Sequence, residues 1–332
     1  MNLVSVIIKK VKKINIRVYR GYANDQEIVV FGHVFWSNKP DTFQSDIRGL
    51  QHALSVIRMF RVNPVSNTEV TFCFNNWTVS TKTSHDGYFR FNLPYDAPMA
   101  SGWHPYRLRC EAGGTPVEAK GELLKPFESK LGIISDIDDT FLISYSNRLF
   151  KKLYVMLFRN VNNRKIFEDV VPHYQALSRA GQDLDGASNA FFYVSSSEWN
   201  LYYLITEFSK LHGLPKAVVK LKRLKTGLTD FLMTGRGDHD HKFDKIKDVL
   251  TFYPKLQYVL LGDDSQQDPY IYERVCKYFP LNVRAIYIRQ TTSRQKAKVR
   301  AALKNAESLK VATCYFENSS EAIAHSQKIG II

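Results

Sequence analysis

The chain has 332 residues, 44% of them hydrophobic and 23% charged, which is a globular balance with enough length for two domains. A formal net charge of +14 points to anionic partners: nucleic acid, an anionic membrane or phosphorylated substrates. No run reaches the ~18 apolar residues that span a bilayer, and the lysine-interrupted N-terminus lacks the small-residue cleavage site of a secretory signal. Cys73, Cys110, Cys276 and Cys314 show neither zinc-ligand spacing nor a dense disulfide pattern. Buried free thiols in a reducing, cytoplasmic setting are therefore expected, with the protein soluble or peripheral to a membrane.

In chain order, residues 27–36, 68–74, 77–83 and 88–93 are short, β-branched and aromatic, with turn signals at Asn75-Asn76, Asp86-Gly87 and Asn92-Leu-Pro94. They predict antiparallel strands in a β-sandwich-like domain over 1–125. Residues 41–62, with Ile47, Leu50, Leu54 and Ile57 at partly helical spacing, read as a helical insertion. Gly121-Glu-Leu-Leu-Lys-Pro126 reads as the junction to a second domain, 126–332.

Beyond it the pattern changes. Apolar strand runs at 131–134, 190–194, 257–261, 284–289 and 311–316 alternate with helix patterns at 198–212, ending at Gly213, and at 242–253. Such alternation predicts an α/β domain: a parallel sheet covered on both faces, with ligands at the carboxyl ends of its strands.

Four clusters fall at those ends. The first is Asp136-Ile-Asp138-Asp-Thr140, directly after the first run. Two carboxylates at the end of a buried strand are costly in repulsion and desolvation, and a divalent cation with a phosphoryl group would compensate them. Within such a pair one carboxylate can attack phosphorus while the other handles protons. The second cluster, Ser195-Ser196-Ser197, presents hydroxyls and backbone N–H groups suited to a phosphate oxygen, and equally suited to capping a helix. The third is His241-Lys242 and the fourth Gly262-Asp263-Asp264-Ser-Gln-Gln-Asp268. Asp238-His-Asp-His241 looks like a metal cluster, but four consecutive residues cannot all face one centre, so it reads as a loop and helix start.

In type and order these clusters resemble the haloacid dehalogenase superfamily of phosphatases. Ser135-Asp-Ile-Asp-Asp-Thr, Phe192-Tyr-Val-Ser-Ser-Ser-Glu-Trp-Asn-Leu-Tyr and Leu261-Gly-Asp-Asp-Ser-Gln-Gln-Asp-Pro-Tyr narrow the resemblance to the catalytic domain of the actin-patch-associated phosphatidate phosphatase family. The resemblance covers residues from about 130 to the end; the first half matches only loosely the β-rich domain that often precedes this unit.

The resemblance implies a haloacid dehalogenase-like Rossmannoid fold. It makes Asp136 the nucleophile that forms an aspartyl-phosphate, and Asp138 the group that protonates the leaving oxygen and then activates water. Ser195, with Ser196, would bind the phosphate, with Thr140 supporting the motif's geometry. Lys242 would hold the phosphoryl group against Asp136. Mg²⁺ would be held by Asp136, Asp138 through its carbonyl, Asp263 and Asp268; Asp264, where the family usually has Ser, ranks behind Asp263 and Asp268. Oxygen-only ligation suits such a hard cation.

The implied reaction is Mg²⁺-dependent hydrolysis of phosphatidate, an anionic phospholipid, at a membrane surface. A soluble phosphomonoester handled by the same chemistry is the alternative, and a non-catalytic lipid- or partner-binding protein stands behind both. Basic, apolar stretches at 214–225 and 148–158 suit contact with an anionic bilayer, or simply a strand with a solvated face and a core-packed helix. No nucleic-acid-binding motif accompanies the charge, and no nucleic-acid partner is expected.

Overall fold

In a computed structural model, the structure describes residues 13–37, 63–112, 114–127, 130–136, 161–182, 187–222 and 238–332. The 41–62 insertion, the 148–158 stretch, Asp138 and Thr140 lie outside the described residues.

Strands β1 (Lys13–Val18), β2 (Gly21–Ala23), β3 (Glu27–Ser37), β4 (Asn63–Pro64), β5 (Glu69–Phe74), β6 (Trp77–Lys82), β7 (Tyr88–Pro94), β8 (Gly102–Ala112) and β9 (Thr115–Lys125) form one nine-stranded sheet. Its main path runs β1-β3-β2-β9-β8-β5-β6, with β4 and β7 also pairing with β3. The expected sandwich is thus one continuous, branched sheet that closes over its own core. Val30 and Val34 of β3 share a cluster with Phe72 of β5 and Leu108 of β8, strands distant in hydrogen-bond order. Strand β9 carries this sheet through Lys125, within the 121–126 stretch read as the junction.

The near-continuous apolar run of β3 has a physical reason. Side chains alternate across a strand, and here both faces are buried. Ile28, Val30 and Val34 face the sheet's own core, whereas Val29, Phe31 and Phe35 join a second cluster built mainly by the rest of the chain.

That second part is a six-stranded, wholly parallel sheet in the order β12-β11-β10-β13-β14-β15. Its strands are β10 (Leu131–Asp136), β11 (Ala190–Glu198), β12 (Val218–Lys222), β13 (Gln257–Asp263), β14 (Val283–Arg289) and β15 (Ala312–Phe316). The accompanying helices are α1 (Val161–Arg179), α2 (Tyr202–Leu211), α3 (Asp238–Phe252), α4 (Asp268–Tyr278), α5 (Ala297–Glu307) and α6 (Ser319–Lys328). Every residue of β10 is buried, as a central parallel strand requires. The chain moves outward from β10 through β11 to β12, then returns to β13 on the other side of β10. That reversal is the topological switch point, where α/β sheets bind ligands.

The two sheets share one apolar body. Tyr19, Tyr22, Phe31 and Phe35 pack in the same cluster as Phe191, Trp199, Tyr202 and Tyr253. Polar contacts fix the register: the Arg20 N–H donates to Tyr202 Oη at 2.8 Å, and Tyr253 donates to the Ala23 carbonyl at 3.0 Å. Arg20 Nη1 reaches the Ala217 carbonyl at 3.1 Å, and Lys220 donates to Tyr22 Oη at 3.2 Å. Through these contacts the first sheet lies against β12, an edge strand that would otherwise be open to unwanted pairing.

Candidate functional site

Asp136 ends β10, Asp263 ends β13 and Ser195 follows the register partner of Asp136 in β11, so three of the four sequence clusters meet at adjacent strand ends. Asp136, Ser195, Lys242, Asp263 and Asp268 are all buried, at 3% exposure or less. Ser196, one residue on, is half-buried.

Lys242 is the link among them. From the first turns of α3 its Nζ lies 2.7 Å from Asp136 Oδ1, and it also donates to Asp268 Oδ1. Burial raises the Asp268 carboxyl above the usual carboxylate range; Lys242 acts against that shift, and the nearby charge of Asp263 adds to it. Asp268 is the first residue of α4, and it packs directly on Gly262 of β13. A Cβ on Gly262 would stand 2.6 Å from Asp268 Oδ2, so only glycine admits this approach.

The two remaining acids of the fourth cluster differ. Asp263 Oδ1 accepts the Ser265 N–H at 2.7 Å, which shapes the turn after β13. Asp264 faces away, into a scaffold. It accepts the Thr291 N–H at 2.9 Å, the Thr291 hydroxyl, and the Tyr315 hydroxyl at 2.5 Å, with Lys296 Nζ 3.6 Å away. Burial works to raise its carboxyl, but the bonds from Thr291 and Tyr315 and the charge of Lys296 outweigh it and hold the carboxyl below its usual value.

Behind Asp136, the Ser135 hydroxyl donates to the Asp136 carbonyl at 2.9 Å and lies 2.7 Å from Tyr174 Oη of α1. Burial pushes the Tyr174 phenol up to about 12, so it stays protonated and donates. A cavity of about 20 Å³ beside it, lined by His173, Gly262, Tyr287 and Arg289 among others, has room for a water but not a substrate.

The hydroxyl cluster is a bulge. Val194 pairs with Lys220 and Glu198 with Lys222, so three serines stand opposite Leu221 alone. Bulges re-aim side chains and are frequent beside active sites. The predicted helix at 198–212 therefore starts later: Glu198 still belongs to β11, a 3₁₀ turn covers Trp199–Leu201, and α2 begins at Tyr202. In this turn Trp199 is buried against Tyr19 and Phe31 of the first sheet.

Three contributors escape a reading of the sequence alone: Tyr174, the Tyr19–Trp199 contact and Lys245. Only Lys245, three residues after Lys242 and hence on the same helix face, leaves a local signal. His241 is exposed at the start of α3.

Among the described residues no three His, Cys, Asp or Glu converge as a metal cluster. Asp268 is drawn to Lys242, and Asp138 is outside the described set. The donor chemistry nevertheless suits a hard cation. Asp136, Asp263 and Asp268 are buried oxygen donors, and among the described residues no group donates a hydrogen bond to the buried Asp268 Oδ2.

The described residues form a parallel α/β sheet with carboxylates and a lysine at its switch point, and comparisons with known proteins show what this region is similar to. Residues 131–290 match the family described as phosphatidate phosphatase APP1, catalytic domain. Phosphatidate phosphatase APP1 of Saccharomyces cerevisiae (strain ATCC 204508 / S288c) is 27% identical over 159 residues, or 48% of this chain. The match spans about a quarter of that relative's length, 26%. A carbohydrate acetylesterase from Xanthomonas citri has a TM-score of 0.34 at 10% identity, covering 96% of this chain and 75% of its own. A β-glucuronidase from Parabacteroides merdae has a TM-score of 0.29 at 7% identity, covering 91% and 40%. At such scores neither resemblance carries an argument.

Proposed function

We propose that the chain is a phosphoric monoester hydrolase that converts phosphatidate to diacylglycerol and phosphate. The observation that carries this reading is the bridge from Lys242 to Asp136 and Asp268, at the switch point of the region that matches the family. The order of the four clusters along a parallel sheet supports a haloacid dehalogenase-like catalytic unit.

In this reading the Asp136 carboxylate attacks phosphorus and the ester P–O bond breaks. Asp138 protonates the departing alkoxide, as the family resemblance implies. Asp138 then takes a proton from water as the water oxygen attacks the aspartyl-phosphate, and cleavage of its P–O bond restores Asp136 and frees phosphate. Lys242, already 2.7 Å from the attacking carboxylate, offsets charge on the phosphoryl oxygens. Ser195 and Ser196 bind those oxygens, with Thr140 supporting the motif's geometry as the resemblance implies. Asp136, Asp263 and Asp268, with the carbonyl of Asp138, are the residues that would hold Mg²⁺, which when bound neutralises phosphoryl charge.

No helix among the described residues is long and apolar enough to cross a membrane. A lipid substrate would accordingly be met at the bilayer surface, with the chain's net charge of +14 favouring an anionic one. The test measures phosphate release from phosphatidate in mixed micelles, with and without Mg²⁺, beside a panel of soluble phosphomonoesters. Mg²⁺-dependent preference for phosphatidate supports the reading, and a strong preference for a soluble ester replaces the substrate.

A further inference from the structure

The Ser195–Ser197 bulge needs something to hold it. Within a ladder each backbone group has a strand partner, whereas here three residues of β11 pass a single residue of β12. The Ser195 carbonyl accepts a hydrogen bond from Lys245 Nζ at 2.7 Å, a charge-assisted contact across 50 residues of sequence. Lys245 is half-buried and lies one turn beyond Lys242 on α3. A single helix face thus sends one ammonium to Asp136 at the end of β10, and a second to the bulge at the end of β11.

We infer that Lys245 is a positioning residue of this site, fixing the serine bulge relative to the helix that carries Lys242. The inference rests on reading the bulge as the phosphate-binding element. Without the Lys245 contact the Ser195 carbonyl loses this hydrogen bond to α3, and the spacing between the serines and Asp136 is less firmly set. In this reading Lys245 acts through the bulge and not on the phosphoryl group itself.

The experiment uses the full chain as wild type, Lys245→Met and Lys245→Arg. Amide hydrogen exchange is followed over 195–199, and inhibition by inorganic phosphate is measured alongside turnover and thermal melting. Lys245→Met should speed exchange in that segment and weaken phosphate inhibition about tenfold to a hundredfold, the worth of a charged hydrogen bond. Lys245→Arg, which still donates, should restore both. Unchanged exchange in Lys245→Met overturns the inference, as does a lower melting temperature with phosphate inhibition intact. Should Lys245→Met fail to fold, Lys245→Gln against Lys245→Arg decides by the same exchange readout. If wild type hydrolyses no phosphomonoester, the proposed activity falls, and the exchange comparison still decides the role of Lys245.

Discussion

Tyr19 of the first sheet stacks on Trp199, four residues beyond Ser195, with ring centroids 4.3 Å apart and planes inclined by 24°. Phe31 meets the same indole edge-on at 5.3 Å, and Tyr202, just beyond it, lies 4.5 Å from Tyr19. The turn that follows the serine bulge is therefore packed by residues from the other sheet.

Production of residues 126–332 alone should consequently fail to give a native protein. That piece would expose Trp199, Tyr202, Phe252 and Tyr253 together with the β12 edge, an apolar face prone to association. Size-exclusion chromatography and near-ultraviolet circular dichroism would report aggregation or loss of fixed packing. In the full chain, Trp199→Ala should cost about 3–5 kcal/mol, the usual range for truncating a large buried aromatic. A monomeric, cooperatively melting fragment would disprove the shared core.

Asp136 and Lys242 should both lose activity on substitution but differ in what they cost in stability. Asp136→Asn keeps the shape, leaves Lys242 paired with Asp268, and removes the nucleophile. Turnover should fall by about 10⁴-fold or more with little change in melting temperature. Lys242→Met instead leaves two buried carboxylates without their shared cation and should cost about 3–5 kcal/mol of stability as well as activity. Denaturant titrations beside single-substrate kinetics check both, and wild-type turnover in Asp136→Asn would end the assignment.

How far these features can be read from the sequence follows from how local their causes are. The strands of the second sheet are continuous apolar runs ending in charged clusters, and runs and clusters alike stand out along the chain. Strand β8 is less legible, although Tyr106, Leu108 and Cys110 point inward between the outward Arg107, Arg109 and Glu111. Pro105 and the flanking polar residues mask that alternation. Asp264 is indistinguishable from Asp263 in sequence, because its partners Thr291 after β14, Lys296 just before α5 and Tyr315 in β15 arrive only in the folded chain. The stack of Tyr19 on Trp199 spans 180 positions and has no local signature.

Gly262 is the tightest point of the site. Alanine there would press on Asp268 Oδ2 at 2.6 Å and Cβ at 2.9 Å, and Asp268 belongs to a helix start that has little room to retreat. Gly262→Ala should cost about 1–3 kcal/mol through overpacking and lower kcat by displacing Asp268 from Lys242. Unaltered kinetics together with unaltered stability would show that Asp268 can shift freely.

Asp264 offers a test separable from catalysis. Its carboxylate accepts from the Thr291 backbone, the Thr291 hydroxyl and Tyr315, so Asp264→Ala would leave those donors unmatched at a cost of about 1–3 kcal/mol. Asp264→Asn keeps the shape and removes the charge, which makes its deficit dependent on pH. The folded carboxyl titrates below its unfolded value, so its contribution is fully present above the unfolded pKa of about 3.9 and is lost as pH falls through the folded one. Urea titrations should show a constant gap between wild type and Asp264→Asn from pH 7 to about 5, narrowing below about pH 4. A gap that widens on acidification would mean that burial, and not the bonds from Thr291 and Tyr315, governs this carboxyl.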